Sequence, residues 1–105
     1  MNDILLKCTG FEWDVPNTEK IRVRHDVAPT ECEQVFFNLP LVIGDDLRHS
    51  EKENRFYTLG QTDTGRLLFL VFTIRKNKIR VISARNMSRN ERRLYQTHEK
   101  ENPSV

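Results

Sequence analysis

The stretch that decides the fold runs from Gly65 to Tyr95, GRLLFLVFTIRKNKIRVISARNMSRNERRLY. Two apolar runs, Leu67 to Ile74 and Ile79 to Ala84, are joined by Lys76-Asn77, which predicts a tight hairpin of two buried strands. The first run is apolar on both faces and predicts a central strand covered on both sides. In the second, Ile79 and Val81 are expected to point one way and Arg80, Ile82 and Ala84 the other. Ser88-Arg89-Asn90-Glu91 then reads as a capping box opening a helix that reaches about His98, with Leu94 and Tyr95 docking on the core. Arginines stand at nearly every element boundary of this stretch. A basic platform over an apolar core points to a small protein that handles nucleic acid.

Upstream, Ile4 to Lys7 and Phe11 to Trp13 are short apolar patches broken by Thr9-Gly10, read as one bent edge strand or two fragments. Asp14 can cap a helix with Pro16 in its first turn, running to about Arg24. The β-branched Ile21 and Val23 weaken that helix, and a strand is the competing reading. Pro29 restarts a helix, with Cys32, Val35 and Phe36 on one side and Thr30 with Glu33 as its capping box. Asn38-Leu39-Pro40 ends it. Leu41 to Ile43 forms a short strand, the charged run Asp45 to Asn54 a surface loop, Arg55 to Gly60 a strand and Gln61 to Gly65 a turn. The expected class is α+β, a small antiparallel sheet packed with helices: one domain over residues 1–98 and a frayed tail over 99–105.

Length and composition agree. A chain of 105 residues can bury one core and not two, and 37% hydrophobic with 30% charged residues favours neither disorder nor a membrane. No apolar run approaches the roughly 18 residues of a spanning helix. The opening MNDILLKCTG has no basic n-region, so neither a signal peptide nor an anchor is expected. Cys8 and Cys32 stand far apart with no CxxC and no histidine at metal-ligand spacing; two free thiols in a reducing cytoplasm are expected over a disulfide. The net charge of +2 hides an asymmetry: residues 1–52 carry 6 Lys and Arg against 10 Asp and Glu, and residues 53–105 carry 11 against 5. A basic half suits a phosphate-binding face, and equally it solvates a small fold.

No hydrolase elbow, zinc pair or carboxylate cluster stands out, and GQTDTG lies between strands where a phosphate loop would precede a helix. The arginines carry more. Arg66 and Arg75 bracket the central strand, Arg80 lies within the next one, and Arg85 terminates it. Arg66 and Arg85 are expected to be neighbours across the hairpin. Their mutual repulsion is relieved by an anion or by a carboxylate such as Glu53, so both a phosphate clamp and an ion-pair lattice fit. Arg89, Arg92 and Arg93 lie on or beside one face of the last helix. His25, between Arg24 and Asp26 at a helix end, is a candidate for acid/base work or a simple cap.

Several of these pieces together resemble the BrnT family of toxins. They are Phe11-Glu12-Trp13-Asp14, Arg24-His25 with Val27, Glu31 and Val35-Phe36, then His49-Ser50 with Glu53 and Arg55, Gly60, RVISAR from Arg80 to Arg85, Glu91-Arg92 and Tyr95. The resemblance implies a fold similar to RelE-type endoribonucleases and a ribonuclease toxin of a type II toxin–antitoxin pair. It also implies a BrnA-like antitoxin that binds DNA, so that DNA is met only through that partner. Under this reading the chain is cytoplasmic, with no membrane, and cleaves RNA without metal or cofactor. Metal-free cleavage requires the 2′-hydroxyl deprotonated, the phosphate neutralised and the 5′-oxygen protonated. The expected catalytic group is His25, Arg24, Glu31, Arg66 and Arg85, with His25 as acid or base and Glu31, or Glu53 where the loop brings it close, as base or to orient His25; Arg75, Arg80, Arg89 and Arg92 are expected to bind RNA. Where the family has Lys-His-Gly this chain has Arg24-His25-Asp26, and Ile21 replaces the family's asparagine. Arginine cannot exchange a proton as lysine does, so a weak or inactive homologue that binds protein or nucleic acid is the alternative.

Overall fold

The structure is a computed structural model that describes residues 3–46 and 53–101. After a 3-10 turn at Asp3–Leu5 the order is β1 (Gly10–Glu12), α1 (Val15–His25), α2 (Pro29–Val35), β2 (Val42–Asp45), β3 (Arg55–Gln61), β4 (Leu67–Arg75), β5 (Lys78–Asn86) and α3 (Arg89–Glu101). The strands form one sheet in the order β1-β5-β4-β3-β2. Four of them are antiparallel neighbours, but β1 runs parallel to β5, so the expected antiparallel sheet is mixed. The parallel strand follows from connectivity: β1 enters from the chain start and α1 crosses away from it, so no hairpin constrains its direction.

α1 forms despite its β-branched residues because both ends are closed. Asp14 accepts the Asn17 N–H at 2.7 Å, Pro16 occupies the first turn, and Asp26 ends the helix in the left-handed region at φ 54°, ψ 46°. α2 begins at Ala28, whose N–H donates to the Glu31 carboxylate at 3.0 Å; this bond replaces the expected Thr30–Glu33 box. Ser88 and Glu91 form the expected box at the head of α3. That helix continues to Glu101, so residues 99–101 are helical where a frayed tail was expected.

The sheet is covered unequally. Leu68, Leu70 and Phe72 of β4 are fully buried against Ile21 of α1, Val27, and Cys32 and Val35 of α2. On the other face α3 covers only one end, where Tyr95 is buried with Leu59 and Met87 and donates its hydroxyl to the Pro40 carbonyl at 2.7 Å. β4 is central as expected, but it is not covered on both sides: Phe69 and Val71 are only partly buried. Leu94, expected in the core, is 48% exposed. The side-chain alternation of β5 also breaks. Val71 pairs with Ser83 and Phe72 with Val81, which leaves Ile82 as an extra residue. The bulge reverses the pattern beyond it and returns Ala84 to the core beside Ile79 and Val81.

Candidate functional site

Strand register assembles the open face row by row, because paired residues point to the same side. Glu12 of β1, Arg80 of β5, Thr73 of β4 and Arg55 of β3 are successive partners, giving a polar row. The next row carries Ser83, Val71, Tyr57 and Gly44. After it come Arg85, Phe69, Leu59 and Val42, where α3 begins to close over the sheet. Tyr57 and Phe69 stack with centroids 6.1 Å apart at 15°, and the Arg85 guanidinium lies 4.2 Å above the Phe69 ring. Gly44 makes room for this arrangement, since a Cβ there would collide with the Tyr57 ring.

Two depressions share this face. An aromatic-floored basin of about 450 Å³ is lined by Asp46, Arg55, Tyr57, Phe69, Val71, Ile82 and Ser83. A polar cleft of about 390 Å³ continues from it at Arg55 and Ile82 and is lined further by Asp14, Pro16, Asn17, Lys20, Glu53, Arg75 and Arg80. α1 reaches the cleft because β1 ends at Glu12 and leaves the edge of β5 bare beyond it. The Asn17 side chain donates to the Val81 carbonyl at 2.8 Å and fixes the helix along that edge.

Carboxylates orient the cations. Arg80 bonds Glu12 at 2.9 Å and Asp14 at 2.5 Å. Arg75 bonds Glu53 at 3.1 Å. Arg85 bonds both oxygens of Glu91 at 2.9 and 3.0 Å. The Arg85 bond is the main reason that the Glu91 carboxyl lies below its ordinary range; burial opposes it and the Ser88 bonds add to it.

Arg66 is different. Its guanidinium donates to Asn86 Oδ1 at 2.9 Å, to the carbonyls of Asp26 at 2.8 Å and His25 at 3.2 Å, and to both Glu31 oxygens at 3.1 Å. Burial pushes the Glu31 carboxyl upward. The Ala28 N–H and the bond and charge of Arg66 outweigh it, so the group lies below its ordinary range and is a weak base.

The expected site residues therefore divide. Arg75 and Arg80 meet at the cleft and Arg85 borders the basin. Arg66, Glu31 and His25 gather at the opposite end of β4, nine residues from Arg75 or roughly 30 Å at the rise of a strand. Arg66 and Arg85 are not a facing pair, because the register seats Arg85 opposite Phe69 and each guanidinium closes on its own carboxylate. Arg24 lies seven residues after Asn17 and shares its side of α1, whereas His25 is turned about 80° from Asn17. Both are exposed. Arg89 and Arg92 are exposed on α3. Arg55, Tyr57 and Lys20 were missed. The signal for Arg55 and Tyr57 was their odd-numbered parity with Arg75, Phe69 and Val71 across the hairpin; Lys20 needed the bare strand edge, which no local pattern reveals. His49 lies outside the described residues. Among the described residues no helix is long and apolar enough to cross a membrane.

Fold and cleft together define a small α+β protein with a cationic, aromatic-floored open face. The sequence matches the family model described as ribonuclease toxin, BrnT, of type II toxin-antitoxin system, over residues 13–91. The chain belongs to this family, which implies an antitoxin partner. Among solved structures, the crystal structure of the Brucella abortus ribonuclease toxin BrnT is similar, with a TM-score of 0.58 at 18% identity over 77% of this chain and 99% of that one. That likeness is one of fold. No curated protein matches the sequence significantly.

Proposed function

We propose that this chain cleaves single-stranded RNA on the open face of its sheet, without a metal, and that a cognate DNA-binding antitoxin neutralises it. The observation that carries this reading is the cleft. Four cations (Lys20, Arg55, Arg75 and Arg80) line a space of about 390 Å³ that runs into the aromatic basin. Guanidiniums oriented beforehand suit a phosphate that gains negative charge in the transition state. Tyr57 and Phe69 offer π-faces to the bases on either side of the scissile bond, and Arg85 reinforces the stack. Arg89 and Arg92 extend the phosphate path along α3, and Arg24 extends it along α1. Arg66 and Glu31 set the position of the His25 segment.

In this reading the products are a 2′,3′-cyclic phosphate and a 5′-hydroxyl. Purified protein with an RNA oligonucleotide in EDTA is expected to give those ends, and Arg80→Met is expected to abolish them. Intact RNA at enzyme excess would overturn the reading. The weak-homologue alternative is favoured by the turn of His25 away from Asn17 and the cleft edge. It predicts RNA retention by the protein, no cleavage, and no growth arrest on expression in a bacterial host.

A further inference from the structure

Cleavage through the 2′-hydroxyl moves two protons, one off O2′ and one onto O5′. Arginines hold charge but stay protonated, so Arg55, Arg75 and Arg80 move neither. Asp14 is committed twice, to the Asn17 N–H through Oδ1 and to Arg80 through Oδ2. The Asn17 amide is committed to the Val81 carbonyl. Two cleft residues that exchange protons remain, Lys20 and Glu53. They stand on different walls. Lys20 projects from α1 at the β5 edge, exposed, with no described residue bonded to its amino group. Glu53 leads into β3, two strands away, and is held through Oε2 by Arg75. Helix geometry places Lys20 about 60° from Asn17 on the open side and about 140° from His25. The lysine therefore faces the cleft that the histidine does not.

We propose that Lys20 is the general acid of RNA cleavage, donating a proton to the departing 5′-oxygen, and that Glu53 is the general base. The proposal rests on the cleft being the RNA site. The Glu53 carboxylate takes the proton of the 2′-hydroxyl. O2′ attacks phosphorus and forms the new P–O2′ bond. The P–O5′ bond breaks with its electron pair on O5′, and O5′ takes the proton from Lys20 Nζ. Exchange with water restores the ammonium and the carboxylate, and nothing is oxidised or reduced. In-line displacement puts the attacking and leaving oxygens on opposite sides of phosphorus, which is the arrangement that two facing walls supply.

The test uses the full chain and an RNA oligonucleotide whose cleavage position has been mapped with the wild-type protein. A second substrate carries sulfur in place of the bridging 5′-oxygen at that position. A thiolate leaves without a proton, so loss of a general acid matters only for the oxygen substrate. Lys20→Ala is expected to slow single-turnover cleavage of the oxygen substrate about 10²- to 10⁴-fold and to cut the sulfur substrate at near the wild-type rate. Lys20→Arg, which keeps the charge, is expected to behave in the same way. Equal slowing on both substrates, or wild-type rates on the oxygen substrate, overturns the proposal while leaving the cleft reading intact. If Arg80→Met cleaves normally, the cleft reading falls and this proposal falls with it. Circular dichroism on each variant confirms the fold, which an exposed lysine is not expected to disturb.

Discussion

Replacing Arg66 with methionine separates a structural role from a phosphate-binding one. The guanidinium joins three other segments: Asn86 at the end of β5, the carbonyls of His25 and its cap Asp26 where α1 ends, and Glu31 in the first turn of α2. Methionine keeps the aliphatic stem and removes every donor. Hydrogen bonds to charged groups contribute about 1.5–3 kcal/mol each, net of exchange with water, at buried sites. Arg66 and Glu31 are 26% and 29% exposed, so water recovers part of each bond and the sum is far from additive. The net loss is about 2–3 kcal/mol. At about 4–8 °C per kcal/mol for a domain of this size, the melting temperature should fall by roughly 10–20 °C. Arg66→Lys can reach Glu31, but one ammonium cannot serve Asn86 and two carbonyls as well, so it should recover less than half. Thermal melts by circular dichroism, with urea titrations for the free energy, measure both variants. An unchanged melting temperature together with abolished RNA cleavage would refute the reasoning and make Arg66 a phosphate clamp.

Asp26→Gly should stabilise the chain by about 1 kcal/mol, because a glycine carries no Cβ penalty at φ 54°; calorimetry showing no gain would contradict the cap geometry. The Glu31 and Glu91 carboxyls are depressed in the fold, so their stabilisation is complete above the ordinary carboxylate range near ~4.3 and is lost as pH falls through their folded values. Urea midpoints should drop as pH is lowered from about 5 toward 3, and Glu91→Gln should flatten that slope. Gly44→Ala drives a Cβ into the Tyr57 ring and should cost about 1–3 kcal/mol while displacing the ring from the basin. RNA affinity measured by fluorescence anisotropy should fall with it, and unchanged affinity would remove Tyr57 from the binding face.

Much of the architecture follows from local pattern. Asp14 with Pro16, Ser88 with Glu91, and the paired apolar runs of the hairpin each specify an element through its own backbone requirements. The errors arise where the deciding interaction is remote. The Ile82 bulge depends on register against β4, and nothing inside RVISAR encodes it. The parallel direction of β1 depends on where α1 returns the chain. The pairing of Arg66 with Arg85 failed because the register seats Arg85 opposite Phe69, three residues along the chain from Arg66, and because each side chain reaches a carboxylate of its own. Glu31 and Glu91 are remote from the hairpin core, on helices that pack from opposite faces of the sheet.

Counting donors separates the arginines between the two readings, ion-pair lattice and phosphate clamp. A guanidinium has five N–H groups. Arg66 spends nearly all of them: Nε on Asn86, Nη1 on Asp26 and Glu31, and one hydrogen of Nη2 on His25. It has little left to offer a phosphate. Arg80 spends Nη1 on Glu12 and Nη2 on Asp14, and Arg75 spends Nη2 on Glu53. Each keeps most of its hydrogens, and each lines the cleft. Their carboxylate partners are between about a third and two-fifths exposed. Such pairs contribute only about 0–1 kcal/mol, so an arriving phosphate displaces them at little cost. Until it arrives, the carboxylates hold the guanidiniums against their own repulsion and limit their rotation. A lattice that orients arginines without exhausting them leaves donors to offer an anion, and under the proposed RNA-cleaving function lattice and clamp would be successive states of the same residues.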